Sequence, residues 1–154
     1  MVIRVVGALI LTASMAVVAA CGGSSPESQS AAPAAAPAAA AAARVFFMEP
    51  ASGAMVKSPV HIVFANEQLT ISPVPPGELK EARPGMVHYH LGVDTDCLPA
   101  GQAIPKAAPW VHFGMGNNSI DMQLTPGAHK LAVQAGDDLH LSGLCETISV
   151  TVTE

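Results

Sequence analysis

The sequence predicts an all-β protein, an immunoglobulin-like antiparallel β-sandwich of about seven or eight strands. Apolar and polar residues alternate with a period of two over short runs rich in β-branched and aromatic side chains, and Pro, Gly, Asn and Asp bound those runs. No part of the region 44–154 carries a convincing helical period. The first expected strand is 44–48, and the second, 60–65, sets Val60, Ile62 and Phe64 inward with His61 between them as an exposed residue. A short edge strand follows at 69–71. Strand 87–94 places Tyr89, Leu91 and Val93 toward the core, and strand 110–113 does the same with Val111 and Phe113. Asn117-Asn118 supplies turn chemistry before strand 119–124, whose Ile120, Met122 and Leu124 point inward. Strands 129–135 and 147–153 complete the core with Leu131, Val133, Ile148, Val150 and Val152.

The stretch Leu124-Thr125-Pro126-Gly127-Ala128-His129 has the form of the corner that leads into the penultimate strand of such sandwiches. A tyrosine usually bonds back to the backbone there, and His129 stands in the tyrosine-like place, so it reads as a structural corner residue. Asp137-Asp138 reads as a solvated turn, because the oxygen-rich loop that calcium needs is missing around it.

The N-terminus carries Arg4, an apolar run and then Val18-Ala19-Ala20-Cys21, the pattern of a lipoprotein signal peptide over 1–20. Cys21 becomes the lipidated first residue of the mature chain, which the acyl chains anchor to a membrane at about 0.8 kcal/mol per buried methylene. From 22 to 43 the chain is almost entirely Gly, Ser, Pro and Ala; Pro33 and Pro37 interrupt the alanine runs, and no apolar face could dock, so 21–43 reads as a tether. The remaining 44–154 has the length of a single domain with one core. These features place the domain in the cell envelope, facing the periplasm or the cell exterior. The formal charge of −5 becomes −6 once Arg4 leaves with the signal, which argues against nucleic-acid binding. Cys97 and Cys145, exported to an oxidising compartment and outside any Cys-x-x-Cys pair, are expected to form a disulfide.

The most informative feature is the parity of the histidines. On 86–94, Met86, His88, His90 and Asp94 share the parity opposite to the core residues, and on 110–114 so do Trp110, His112 and Gly114. Gly92 and Gly114 are expected to leave that outward face sterically open, as an imidazole-rich surface site. His-x-His on a strand puts two side chains on one face about 7 Å apart at their α-carbons, close enough for both rings to reach one ion.

These residues resemble those of a bacterial family of exported domains of unknown function. The family's three consecutive histidines followed by apolar residues and Asp are similar to His88-Tyr89-His90-Leu91-Gly92-Val93-Asp94. Its His-x-His-Phe-Gly-x-Gly resembles Trp110-Val111-His112-Phe113-Gly114-Met115-Gly116. A Pro-Gly-x-His corner and a Gly-Asp-x-x-His motif match Pro126-Gly127-Ala128-His129 and Gly136-Asp137-Asp138-Leu139-His140. The resemblance implies a fold and a histidine-bearing face, and no reaction. Tyr89 and Trp110 stand where the family has histidines, which reduces the imidazole count here.

The sharpest expectation is a copper or zinc site built from His88, His90 and His112, completed by His140, Asp94 or Met86. Imidazole suits both metals, and the Met86 thioether would favour copper, Cu(I) above all. The competing expectation is that these histidines and Trp110 form a metal-free, polar, hydrogen-bonded outer face that docks an envelope protein or polymer. An enzyme is disfavoured: no Ser or Cys nucleophile has a recognisable setting, and no Glu accompanies the histidines, although Asp94 beside a metal-bound water would supply a base.

Overall fold

The computed structural model describes residues 42–154; the signal peptide expected at 1–20, the lipidation site Cys21 and nearly all of the tether lie outside the described residues. The described residues contain nine strands and no helix. These are β1 (Arg44–Glu49), β2 (Met55–Lys57), β3 (Val60–Glu67), β4 (Thr70–Ile71), β5 (Met86–Val93), β6 (Trp110–His112), β7 (Ser119–Met122), β8 (Gly127–Gly136) and β9 (Ser142–Thr153). One sheet has the order β1-β3-β7, and the other the order β2-β9-β8-β5-β4 with β6 also paired to β5.

The expected sandwich is therefore present, with one strand more than the alternation revealed. Strand β2 is only three residues long, too short to display a period, and it pairs in parallel with the end of β9, Met55 opposite Thr151. The short β4 likewise runs parallel to the start of β5.

The core lies between the sheets and draws on the inward set read from the alternation. Val60, Ile62, Phe64, Leu91, Leu131, Val133, Val150 and Val152 are buried, with Val93, Val111, Ile120, Met122 and Leu124 packed against them. Phe64 is the aromatic hub, with ring centroids 5.4 Å from Tyr89 and 5.1 Å from Phe113. Tyr89 lies wholly inside, and its hydroxyl accepts a hydrogen bond from Asn66 Nδ2 at 2.9 Å. Tyr89 sits between His88 and His90, and Phe113 follows His112, so these aromatic anchors fix which parity faces outward. A slip of one residue would drive imidazoles into the apolar core.

The outer face of the larger sheet is not bare. The segment 94–109, which follows β5, folds back across it and is tied down in three ways. Cys97 and Cys145 form the expected disulfide, closing a sequence separation of 48 residues. Leu98 and Gln134 exchange two hydrogen bonds, from Leu98 N–H to Gln134 Oε1 at 2.9 Å and from Gln134 Nε2 to the Leu98 carbonyl at 2.8 Å. Ile104 N–H donates to the His140 carbonyl at 2.8 Å, and Ala103 bridges to Leu141. Ile104, Trp110 and Ala132 thereby form a second small apolar cluster, packed by Cys97, Leu98 and Cys145.

His129 takes the corner role expected of it. Its Nε2 pairs with the carbonyl of Thr125 at 2.8 Å and its Nδ1 with Asp94 at 2.9 Å, so the ring ties strand β8 back to the preceding turn. His61 is exposed and meets Asp121 on β7 at 2.6 Å.

Candidate metal centre

The register of β5 with its neighbours assembles the site. Residues directly opposite in an antiparallel pair share a face. His88 is opposite Gly136, His90 is opposite both Gln134 on β8 and His112 on β6, and Gly92 is opposite both Ala132 and Trp110. The outer face thus presents His88, His90 and His112 side by side. The fourth histidine, His140, arrives from the turn between β8 and β9. That turn is built by Asp137, whose Oδ1 accepts the N–H groups of Leu139 and Leu141 at 2.9 Å each. It holds His140 at a left-handed φ of 64°. A non-glycine residue there costs on the order of 1 kcal/mol, and the turn spends it to swing the imidazole over the sheet.

The result is a cluster in which His88, His90, His112 and His140 each offer a ring nitrogen, all within 4.8 Å of one another. Nε2 of His112 and Nε2 of His140 are 3.0 Å apart. His88 and His90 are 0% exposed, and none of their ring nitrogens meets a hydrogen-bond partner among the described residues. His140 is also buried, and His112 is half-buried. The glycines are shaped to the rings. A Cβ at Gly114 would collide with the His112 ring, and one at Gly136 would stand 2.7 Å from Cε1 of His90.

Burial makes these imidazoles neutral. It pushes His88 down to about 4 and His90 to about 2, with the neighbouring imidazoles adding to both shifts. Burial likewise lowers His112 and His140, and Lys106 adds to the effect. Four neutral imidazoles converging on one point are the protonation state that a transition metal requires.

Several expectations about this face need correction. It is an enclosed site and not an open surface, because the 94–109 segment covers it. Gly92 does not leave open space: a Cβ there would lie 3.0 Å from the Trp110 ring, which fills the position. Trp110 shares the histidine face as its parity required, yet it is only 4% exposed and cannot serve as an exposed docking residue. Asp94 is not gathered into the cluster. It has a φ of 54° just past the end of β5, so strand parity no longer aims its side chain, which instead accepts from the backbone N–H of Lys130 and pairs with His129. Met86 sits half-buried at the first position of β5, opposite Thr70. Tyr89 points into the core, so a histidine at that position would face away from the site and its replacement removes no ligand.

One supporting pair was not legible in the sequence. Asp138 is not part of a solvated turn; its side chain is only 2% exposed and is gripped by Arg83, whose Nε and second guanidinium nitrogen each donate at 2.8 Å while the Arg83 backbone N–H adds a third bond at 3.0 Å. This clamp ties the 72–85 segment to the turn that carries His140. The Arg83 hydrogen bond holds Asp138 at about 2, below its ordinary 3.8, against the opposing effect of burial. A depressed carboxylate stabilises the fold fully above its unfolded value and loses that contribution as pH falls through the folded one. Wild-type protein is therefore expected to lose stability between pH 3.8 and about 2, and Asp138→Asn to show a flatter acid limb and a lower Tm at neutral pH. Thermal melts from pH 7 to pH 2 check this; parallel curves for the two proteins would remove the clamp from the account.

Residues 62–153 match a family described as a domain of unknown function, DUF4399. No curated protein and no solved structure matches the chain.

Proposed function

The chain belongs to that family of domains of unknown function, and we propose that it is a membrane-anchored envelope lipoprotein whose sandwich holds a single copper or zinc ion in a closed centre of four histidines. The observation that carries this reading is the set of unpartnered ring nitrogens on His88 and His90 at 0% exposure, aimed at two further imidazoles. An unsatisfied buried polar atom costs about 1–3 kcal/mol, so a buried cluster of them is unfavourable unless something accepts their lone pairs. A metal ion does this for all four rings at once.

The spacing suits it. Zinc–nitrogen bonds of about 2.0–2.1 Å in tetrahedral geometry put neighbouring nitrogens about 3.3 Å apart, so ring nitrogens already within 4.8 Å of one another need only modest closure. Copper is bound more tightly than zinc by nitrogen donors in general, and imidazole accommodates both. Four protein ligands fill a tetrahedral shell and leave no position for a reacting water, which favours holding an ion over hydrolysis. Asp94, the carboxylate considered as a base, is engaged by His129. The metal-free docking reading needs the histidines and Trp110 on an outer face, whereas Trp110, His88, His90 and His140 are buried. Anchoring to the envelope is supported by the run before Cys21 and by the Ala/Pro-rich stretch after it.

The test is an equilibrium titration of the full-length protein in detergent with Cu(I), Cu(II) and Zn(II) against competing chelators at neutral pH. One ion per chain at submicromolar Kd is expected for the preferred metal. Binding no tighter than about 10 µM for all three would overturn the reading.

A further inference from the structure

Of the four histidines, His112 is the least buried. His88, His90 and His140 are buried, whereas His112 is half-buried and lines a cleft of about 160 Å³. Gly114 forms part of the same cleft, and its lack of a Cβ lets the His112 ring pack there with Cε1, the carbon between the two nitrogens, closest to it. Met115 lines it as well. A tight turn, closed by Gly116 N–H donating to the Phe113 carbonyl at 3.0 Å and anchored by the buried Phe113, holds Met115 at its crest with 79% of its surface exposed.

We infer that this cleft is the mouth of the metal centre and that Met115 is its soft capture ligand, which makes Cu(I) the ion the site is built to receive. The inference rests on the four-histidine reading of the centre and extends it. An exposed methionine alone means little. Here, however, a flexible thioether shares a small cleft with the least buried ring of the imidazole cluster. Thioether sulfur selects Cu(I) over Zn(II), whereas imidazole takes either, so a metal handed from Met115 to His112 is screened before it reaches the centre. The transfer is a ligand exchange. The donor's bond to copper breaks as the Met115 sulfur binds, and the Met115 bond breaks as His112 and then the inner rings bind; the ion remains Cu(I) and no electron moves.

Loading rates of the full-length protein separate this role from the centre's own affinity. Cu(I) is presented as its bicinchoninate complex and Zn(II) as a chromophoric chelate, to wild type, Met115→Leu and, as a control on a distant exposed methionine, Met55→Leu. Met115→Leu keeps the apolar bulk and removes the sulfur, and is expected to slow Cu(I) loading about tenfold while the Cu(I) Kd and the Zn(II) loading rate stay unchanged. Met55→Leu is expected to match wild type throughout. An unchanged Cu(I) rate in Met115→Leu, or equal slowing of both metals, overturns the capture role while leaving the centre intact. Wild type that takes up Zn(II) but no Cu(I) does the same. Wild type that takes up neither metal at equilibrium overturns the centre itself.

Discussion

Replacing His90 with leucine is expected to abolish tight metal binding and, at the same time, to leave the metal-free protein at least as stable as wild type. The two effects together are what distinguish a ligand from a core residue. His90 is wholly buried and carries two ring nitrogens without partners. Leucine, of similar bulk and without polar atoms, places nothing in this buried site that needs a hydrogen-bond partner. Gly136 gives the side chain its room on the β8 side, so the substitution asks little repacking of the sheet. With metal the order reverses. An ion present at about a thousand times its Kd stabilises the wild-type fold by about 4 kcal/mol, which for a domain of this size raises Tm by roughly 15–20 °C. His90→Leu should lose nearly all of that rise. Melting both proteins with chelator and with excess metal measures all four states. If His90→Leu is instead destabilised by chelator-treated standards while wild type shows no metal-induced rise, the imidazoles are packing residues and the centre is not a metal site.

The paired substitution Cys97→Ser with Cys145→Ser should produce the second large change, in stability and in affinity together. The disulfide spans 48 residues, and in the chain-entropy account a loop of that length restrains the unfolded chain by about 4 kcal/mol. Its position adds a local consequence. The bond fastens the 94–109 cover to β9, and the same cover donates from Ile104 to the carbonyl of His140, the ligand that comes from a turn and not from a strand. Loosening the cover frees His140 more than it frees His88 or His90, whose backbone is held in the centre of the sheet by β8. Metal affinity should therefore fall about tenfold or more alongside the drop in Tm. A variant that melts earlier yet retains wild-type affinity at a temperature where it is folded would show that the cover contributes to the fold alone.

The histidine pattern shows how far alternation carries, and where it stops. His88, His90 and His112 could be assigned to one face because each lies inside a strand, where the pleat fixes direction residue by residue. Asp94 has the same parity on paper, but a left-handed φ at the strand's end turns it away toward His129. His140 was legible only through a motif resemblance, since the Asp137 turn that aims it has no period to read. The enclosure of the whole face leaves no mark in the sequence for a single reason. The 94–109 segment has no strand pattern of its own, so nothing local signals that it returns over the sheet, and Trp110 looked like a surface aromatic. The Arg83–Asp138 clamp was missed on the same grounds: it joins two irregular segments 55 residues apart.

By itself, the sequence determined the all-β sandwich, its inward residues, the disulfide partners and the strand face on which three of the four histidines stand, because period-two patterning and turn chemistry are local properties that the backbone obeys strand by strand. Tertiary structure alone decided that this face is enclosed, that His140 joins it while Asp94 does not, and that His112 keeps the one half-open ring. Those outcomes depend on where two irregular segments come to rest, and such segments are positioned by long-range hydrogen bonds, a disulfide and an ion pair whose partners are remote in the chain.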